Sequence, residues 1–341
     1  MPTTILFPSN PIQPKSVDES FGWEAQAAKE AGFSIGRIDL EVILGGEIKI
    51  ANVPDTGEVV YRGWLMPTAQ YRSVFERLGG RLVPTPEQYE ISYELPRWYV
   101  LVEDMTPRTL VLPLATWGSF ENLGDIAECV EHTFQDRLRK ADRAVVKAYH
   151  ESFKEGWHTG HLRPELMELP GPRPVIIKDY VKSAKHKWFD ACFIHDSRDR
   201  EEVVRVTKNF LDIQSTGLVG GLCYRQFERY KPIGTHPKTN LPLVNEWRAF
   251  MRGGKVFYLA PYWRDGDYAQ GSKPTAEEIE SFAAPLKDLD VIAVDVAEKA
   301  YASEGEPRFD IIEVNPGGAS GVPEGGDVKD FYKALRAEYP A

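Results

Sequence analysis

The 341-residue sequence has few of the features that mark disulfide-rich, membrane or secreted proteins. Its three cysteines, Cys129, Cys192 and Cys223, are odd in number and widely spaced, which favours a reducing compartment over a disulfide framework. No apolar stretch approaches the length of a membrane span. The opening MPTTILFPSNP has no basic residue and only a short apolar run, so we expect no signal peptide. Together these absences predict a cytoplasmic protein with no membrane contact.

Positive charge is also in short supply. The chain has 51 acidic and 41 basic side chains, so its formal net charge is −10. A surface for general nucleic-acid binding is therefore not expected, although a local basic pocket is compatible with this balance. No internal repeat or low-complexity tract interrupts the chain. A chain of this length and composition is expected to form two or three globular lobes.

Strand-like and helix-like stretches alternate over roughly the first 120 residues, which predicts a mixed α/β lobe. One strand-like run, VVYRGWLM (59–66), carries Arg62. This arginine can hold a substrate carboxylate, although a structural arginine at a strand end is the better interpretation.

The clearest local signal is EWRAFMRGGKVFYLAPYW (246–263), which predicts a hairpin around a Gly-Gly turn. Glu246 and Arg248 share one face of its first strand. They can serve ribose hydroxyls and phosphoryl charge, or they can form a cross-strand ion pair. Most aromatic residues of the hairpin are expected in the core, and Tyr262 or Trp263 can also line a substrate pocket.

The strand FDIIEVN (309–315) carries polar side chains among apolar ones. Glu313 and Asn315 share one face because side chains alternate along a strand, whereas Asp310 lies on the other face. Two oxygen side chains so placed can hold one hard cation such as Mg²⁺, and the neighbouring strand VIAVDVA adds Asp295. Two interpretations stay open: a site for nucleotide-bound magnesium, or an edge strand with a wet polar face. The Pro-Gly-Gly exit after Asn315 would let backbone approach a substrate closely.

Lysines cluster after the strand VIIK. Lys178, at its end, can reach a phosphate as a point charge or can face solvent. The loop that follows, DYVKSAKHKW, is either a basic cover for phosphates or a solvated run of charge. Its basic residues are Lys182, Lys185, His186 and Lys187.

Taken in order, these residues resemble the ATP-grasp superfamily, particularly its amide- and peptide-forming ligases. The matching order is the strand-end lysine, a loop and helix, the hinge strand YRQFE, the acid-x-arginine hairpin, VIAVDVA and the E-x-N-P-G strand. The resemblance covers about residues 165–325 and implies two α/β lobes that grip ATP. We therefore expect an N-terminal α/β domain over 1–125, a helical linker and small lid lobe over 126–230, and a large lobe with the Mg²⁺ site over 231–341.

The resemblance also implies ATP and Mg²⁺ as cofactors and gives each matching residue a role. Lys178 would contact the α- and β-phosphates, and Arg248 the γ-phosphate or an acyl-phosphate intermediate. The other implied contacts are main-chain groups of Gln226 and Phe227, with Glu228 beside them, at adenine; Glu246 at ribose; Arg264 at phosphate or substrate; and Asp295, Glu313 and Asn315 at Mg²⁺.

The implied reaction is ATP-dependent joining of a carboxylate to an amine, with small molecules or peptides as substrates. Two alternatives stay open: a kinase or phosphotransferase on the same scaffold, and a non-catalytic nucleotide-binding or interaction protein. The sequence departs from the superfamily in its loop after Lys178, where lysines stand in place of glycine and other small residues; Lys182, Lys185 or Lys187 can supply by charge what backbone amides usually supply. A second, upstream phosphate lysine has no local motif. Its candidates are Lys140, Lys147 and Lys154.

Overall fold

The N-terminal strands form a five-stranded sheet in the computed structural model, which describes residues 3–43, 45–114, 123–134, 173–237, 242–302 and 307–340. The strand order is β3-β2-β1-β4-β5, and only β3 runs antiparallel to its neighbour. The strands are β1 (Thr4–Pro8), β2 (Ser34–Asp39), β3 (Lys49–Ala51), β4 (Val59–Tyr61) and β5 (Leu82–Val83).

Helices follow these strands and recur in the rest of the chain, so the expected mixture of helix and sheet is confirmed. Thr85 begins one of them with a capping box to Gln88, and proline occupies the first turn. No helix in the described ranges is both long enough and apolar enough to cross a bilayer. The helices are α1 (Gly22–Glu30), α2 (Leu40–Ile43), α3 (Thr68–Arg77), α4 (Pro86–Tyr93), α5 (Leu95–Tyr99), α6 (Leu123–Thr133), α7 (Trp188–Ala191), α8 (Arg200–Gln214), α9 (Ala276–Phe282) and α10 (Val328–Glu338).

A second sheet contains the predicted hairpin and the polar strand. Its order is β13-β12-β14-β15, and β12 pairs antiparallel with both neighbours. Gly253 and Gly254 form the hairpin turn with φ of 55° and 76°, values that glycine adopts without strain. The strands are β12 (Glu246–Arg252), β13 (Lys255–Pro261), β14 (Ile292–Glu298) and β15 (Phe309–Pro316).

The chain divides into two compact units. The first unit comprises Met1–Val102, Asn245–Glu298 and Ile311–Ala341. One apolar core runs through it, because Ile5 of β1, Phe250 of β12 and Phe331 of α10 belong to the same cluster of buried side chains. The N-terminal sheet and the hairpin sheet are therefore parts of one folded body.

The second unit comprises Glu103–Val244 and Lys299–Asp310. Its main sheet has the order β6-β9-β7-β8, with antiparallel pairing throughout, and β10 pairs with β11 apart from it. Side chains of α6 and α8 share its apolar core. Its strands are β6 (Thr109–Pro113), β7 (Val175–Asp179), β8 (Phe193–Ile194), β9 (Gly221–Gln226), β10 (Pro232–Thr235) and β11 (Pro242–Val244).

Arg62 lies in the first unit and is structural. Its guanidinium is 3% exposed and donates to both carboxylate oxygens of Glu24, at 2.7 and 3.2 Å. It also donates to the carbonyl oxygens of Gly317, at 3.0 Å, and Ser320. The hydroxyl of Tyr332 donates to the same Glu24 carboxylate at 2.9 Å. These contacts connect the end of β4 with α1, α10 and the segment after β15.

Replacement of Arg62 by alanine would leave the Glu24 carboxylate buried without its counter-charge. We expect Arg62→Ala to lower the free energy of unfolding by about 3–5 kcal/mol, as measured by urea denaturation followed by circular dichroism. Arg72→Ala is the matched control, because Arg72 pairs with Glu87 on the surface; it should leave the unfolding curve nearly unchanged. Equal losses from the two variants would contradict the structural role of Arg62.

Candidate active site

An ion pair between neighbouring strands is the centre of the candidate site in the first unit. Arg248 of β12 stands opposite Asp295 of β14. The guanidinium Nε and Nη2 donate to the two carboxylate oxygens at 2.7 Å each, and Nη1 donates to the carbonyl of Gly321 at 3.0 Å. Arg248 is 8% exposed and Asp295 1% exposed. This bidentate contact holds the guanidinium in one orientation.

The charge state of Arg248 follows from its surroundings. Burial alone would lower the pKa of Arg248, but the charge and hydrogen bonds of Asp295 outweigh burial and raise it. The negative charge of Glu313 acts in the same direction. Arg248 therefore remains a fixed cation in a dry environment, where its interaction with an anion is stronger than in water.

The ring of Tyr262 lies against this ion pair. The guanidinium carbon of Arg248 is 4.9 Å from the ring centroid, a cation–π distance. Burial raises the pKa of Tyr262 to about 12, although the charge of Arg248 opposes the rise. The carboxylates that reinforce the rise are those of Asp295, Glu246 and Glu313. Four charged residues singled out from the sequence therefore surround one phenol, which stays protonated at neutral pH.

The polar residues of β15 separate as strand alternation predicts. Glu313 and Asn315 are half-buried, and Val314 between them is buried. Asp310 is instead assigned to the second unit, where its carboxylate pairs with Lys299 at 3.1 Å.

The donor set fits a magnesium ion in its chemistry. Glu313, Asn315 and Asp295 offer oxygen ligands on the neighbouring strands β14 and β15, and oxygen is what Mg²⁺ prefers. Among the described residues, no three His, Cys, Asp or Glu side chains are grouped to hold a metal ion. A metal here would therefore depend also on the Asn315 amide, on phosphate oxygens and on water. Each Asp295 oxygen has two lone pairs, so its bond to Arg248 does not by itself exclude a metal.

The segment after β13 folds back on the start of β12. The carbonyl of Glu246 accepts hydrogen bonds from the Tyr262 N–H and the Tyr268 hydroxyl, both at 2.9 Å. Asn245, which is fully buried, donates to the Glu298 carboxylate at 2.7 Å. These bonds fix the backbone that carries Glu246, the predicted ribose ligand.

Lys178 and Lys185 lie close to each other's charge in the second unit. Lys178 is opposite Cys223 in the sheet and is 8% exposed. Burial raises the pKa of Cys192 to about 11, whereas the charges of Lys185 and Lys178 lower it. Both ammonium groups therefore act on one buried thiol, which brings charge of the lysine-rich loop beside the strand-end lysine.

Asp179, which our sequence reasoning missed, shapes that loop. Its side chain is fully buried and accepts from the N–H groups of Val181 at 2.7 Å, Lys182 at 2.5 Å and Val219 at 3.2 Å. An aspartate that follows a strand and precedes a loop poor in glycine is a signal for such a turn. Asp179 thus does for this loop what glycine does elsewhere, by satisfying backbone donors with a side chain.

The predicted adenine contacts lie at the end of β9. The N–H of Gln226 donates to the carbonyl of Arg108 at 2.8 Å, and that of Phe227 to Pro174 at 2.9 Å. Their predicted contact with a base therefore depends on carbonyl oxygens and on Glu228. The Gln226 amide donates to the Glu228 carboxylate at 2.5 Å.

The predicted residues thus form one group in each unit, and each group is described on its own. Arg264 is exposed on the segment after β13. The upstream candidates Lys140, Lys147 and Lys154 lie outside the described residues. The first-unit group is Glu246, Arg248, Asp295 and Glu313, with Asn315 on the same strand; the second-unit group is Lys178, Lys185, Gln226, Phe227 and Glu228.

Comparison with known proteins identifies the domain. Residues 168–335 match a family model described as an ATP-grasp domain, family 3 of its clade. No curated protein matches the chain. The resemblance inferred from the sequence is thereby confirmed, and the protein belongs to the ATP-grasp superfamily. Members of this superfamily are mostly ATP-dependent ligases.

Solved structures agree on the fold over nearly the whole chain. A RimK domain protein ATP-grasp from Sphaerobacter thermophilus DSM 20745 is 11% identical, with a TM-score of 0.51 over 99% of this chain and 98% of that one. The macrocyclase MdnC from Microcystis aeruginosa MRC, solved with its precursor peptide MdnA, is 11% identical, with a TM-score of 0.51 over 99% of this chain and 100% of that one. The likeness includes the N-terminal sheet, which the family model does not reach.

Stability of the second unit should depend on the ionisation of Glu228. Burial, and next the charge of Asp310, raise the pKa of Glu228, whereas Lys299 and Arg225 oppose the rise. An acid whose pKa is raised on folding stabilises the folded state less as pH rises from its unfolded pKa, near 4.5, through the folded value. Glu228→Gln removes this titration, so its denaturation midpoint in urea should decline less than that of the wild type between pH 4.5 and neutrality.

The control for this pH series is Glu201→Gln, which changes an exposed carboxylate on α8. It should reproduce the wild-type slope of midpoint against pH. Parallel slopes for wild type and Glu228→Gln would show that Glu228 is ionised as easily in the folded chain as in the unfolded one.

Proposed function

We propose that this protein is an ATP- and Mg²⁺-dependent ligase that joins a carboxylate to an amine through an acyl-phosphate. The observation that carries the proposal is the buried Arg248–Asp295 pair with Glu246 and Glu313 around Tyr262. All of these residues lie inside the segment that matches the ATP-grasp model. Carboxylates for ribose and metal, and an arginine for phosphoryl charge, are the groups that such a reaction needs.

The proposed chemistry has two steps. A substrate carboxylate oxygen attacks the γ-phosphorus of ATP; the bond to the bridging oxygen breaks, and ADP leaves with that electron pair. The amine then attacks the acyl carbon, the carbon–oxygen bond to phosphate breaks, and the amine loses a proton as the amide forms. Neither step requires a covalent bond to the protein, whose contribution is positioning and charge neutralisation.

The first-unit residues have complementary roles in this proposal. Arg248, held by Asp295, stabilises charge on the transferring phosphoryl group. Glu246 binds the ribose hydroxyls, and Arg264 contacts phosphate or substrate. Glu313, Asn315 and Asp295 would hold Mg²⁺, which supplies neutralisation of phosphate charge when it is bound.

In the second unit, Lys178 and Lys185 supply positive charge to the phosphates, and the end of β9 at Gln226, Phe227 and Glu228 contacts adenine. We also propose a cytoplasmic location, because Cys192 and Cys223 are buried free thiols of a kind that persists in reducing compartments.

A product screen distinguishes the candidate functions. The purified chain is incubated with Mg·ATP and pools of amino acids and short peptides, and ADP release is followed. Peptides belong in the pools because the similar macrocyclase was solved with one. Mass spectrometry of the products then separates an amide with free phosphate, as expected, from the stable phosphoester of a kinase. Nucleotide binding without ADP release from any pool would instead favour the non-catalytic alternative.

Glu313→Gln tests the metal assignment. The change keeps size and removes charge, so we expect Mg²⁺-dependent ADP release to fall at least about 100-fold, as for other groups that stabilise transition-state charge. Titration calorimetry of Mg·ATP should show weaker binding in the same variant. Glu277→Gln, at an exposed carboxylate of α9, is the control and should behave like wild type. Full Mg²⁺-dependent turnover in Glu313→Gln would refute the assignment.

Asp295→Asn should differ from Glu313→Gln because Asp295 also neutralises Arg248. Loss of the carboxylate leaves a buried cation unpaired, so we expect about 3–5 kcal/mol less stability against urea in addition to weaker Mg·ATP binding. Glu313→Gln should weaken binding and leave the unfolding curve close to that of the wild type. A stability loss without any change in Mg·ATP affinity would remove Asp295 from the metal set and leave it as the positioning partner of Arg248.

A further inference from the structure

Large apolar side chains are exposed at one edge of the N-terminal sheet. The described residues include eight large hydrophobic side chains that are substantially exposed, and half of them lie on segments that leave this edge. A single exposed apolar residue is ordinary, whereas a group of them marks a binding surface. We define the Trp64 surface as Ile12, Trp23, Trp64 and Leu65, which are 88%, 62%, 54% and 38% exposed.

The topology of the sheet places this surface at a switch point. β1 lies between β2 and β4, so the connection after β1 leads to one side of the sheet and later strands lie on the other. In open α/β sheets, ligands bind at the carboxyl ends of the strands where the order reverses in this way. Ile12 follows β1, and Trp64 and Leu65 follow β4. The carboxyl ends of these two neighbouring strands therefore present the apolar side chains.

The loop that carries Trp64 is rigidly held, so its exposure is not a consequence of disorder. The Tyr61 hydroxyl donates to the carbonyl of Trp64 at 2.6 Å. On the other side, the Tyr89 hydroxyl accepts from Met66 N–H at 3.0 Å and donates to its carbonyl at 2.7 Å. The edge of the Trp64 ring system also contacts Phe21, with centroids 5.0 Å apart. A ligand would thus meet a pre-organised indole, which lowers the entropic cost of binding.

The same loop adjoins the segment that leaves β15. Gly63 N–H donates to the carbonyl of Gly318 at 3.0 Å. Gly318 is three residues beyond Asn315, so chain geometry limits the path from the Asn315 backbone to the Trp64 backbone to about 20 Å. An extended peptide of about six residues spans such a distance. A substrate that reacts near Glu313 and Asn315 can therefore rest a side chain on Trp64.

We propose that the Trp64 surface binds an aromatic or branched aliphatic side chain of the substrate. The ligand class is a short peptide or amino acid with such a side chain, and this inference rests on the proposed ligase function. Apolar contact with the Trp64 ring and with Leu65 beside it provides affinity for the side chain and leaves the reacting carboxylate or amine to the residues of β15 and β12.

The probes for this surface are tripeptides Gly-Xaa-Gly in which Xaa is Phe, Leu, Lys or Glu. Calorimetry without nucleotide measures their binding to the wild type, and ADP release with Mg·ATP measures their use as substrates. We expect the Phe and Leu peptides to bind at least tenfold more tightly than the Lys and Glu peptides. In Trp64→Ala this preference should disappear, while Mg·ATP affinity stays the same.

Three control variants make the outcome decisive. Trp64→Phe should retain the preference within about threefold, because an aromatic surface remains. Ile213→Ala, at an exposed apolar residue of α8, should behave like wild type. Glu313→Gln should bind the peptides normally and lack turnover, so that a failure of the ligase proposal is distinguishable from a failure of the Trp64 surface.

The proposal fails if no probe peptide binds, or if peptide preference is unchanged in Trp64→Ala. It also fails if the surface is an interface between two copies of the chain. Light scattering after size exclusion tests this alternative: a wild-type oligomer that Trp64→Ala dissociates would assign the surface to self-association.

Discussion

The buried guanidinium of Arg62 is the constraint on which the first unit depends. It joins Glu24 of α1 with the main chain that leaves β15, through the carbonyls of Gly317 and Ser320. A buried charge is tolerated only when its hydrogen bonds are satisfied, so the end of β4, α1 and the segment after β15 must keep their places together. The strand with Glu313 and Asn315 is therefore positioned by the N-terminal sheet as well as by its own neighbours.

The second ion pair, between Arg248 and Asp295, serves another purpose. Its members face each other across two adjacent strands, and a third hydrogen bond reaches the carbonyl of Gly321. In this arrangement the guanidinium is already oriented before any anion arrives, so little reorganisation is needed when phosphoryl charge develops. The same contact engages both oxygens of Asp295, so any metal that Asp295 holds must share the carboxylate with Arg248.

The sequence was sufficient for those features that depend on local chemistry. Strand alternation separated Glu313 and Asn315 from Asp310, the Gly-Gly turn identified the hairpin, and the order of motifs indicated the ATP-grasp fold. What could not be inferred depends on contacts between distant parts of the chain. Nothing near Arg62 indicates Glu24 as its partner, and nothing near Asp295 shows that Arg248 contacts both of its oxygens. The assignment of the N-terminal sheet to the same body as the hairpin sheet likewise required three dimensions.

The Pro-Gly-Gly exit of β15 shows how a local motif can be interpreted correctly as a close approach and wrongly as to its partner. We expected these glycines to let backbone approach a substrate. A side chain on Gly318 would instead collide with the carbonyl of Tyr61, and one on Gly317 with the carbonyl of Val291. Gly317 N–H bonds that same carbonyl at 2.8 Å, and Val291 has a φ of 45°, a strained value for a β-branched residue. The glycines thus join the strand with the predicted metal ligands to the loop that displays Trp64, and this junction makes the N-terminal sheet an integral part of the candidate site.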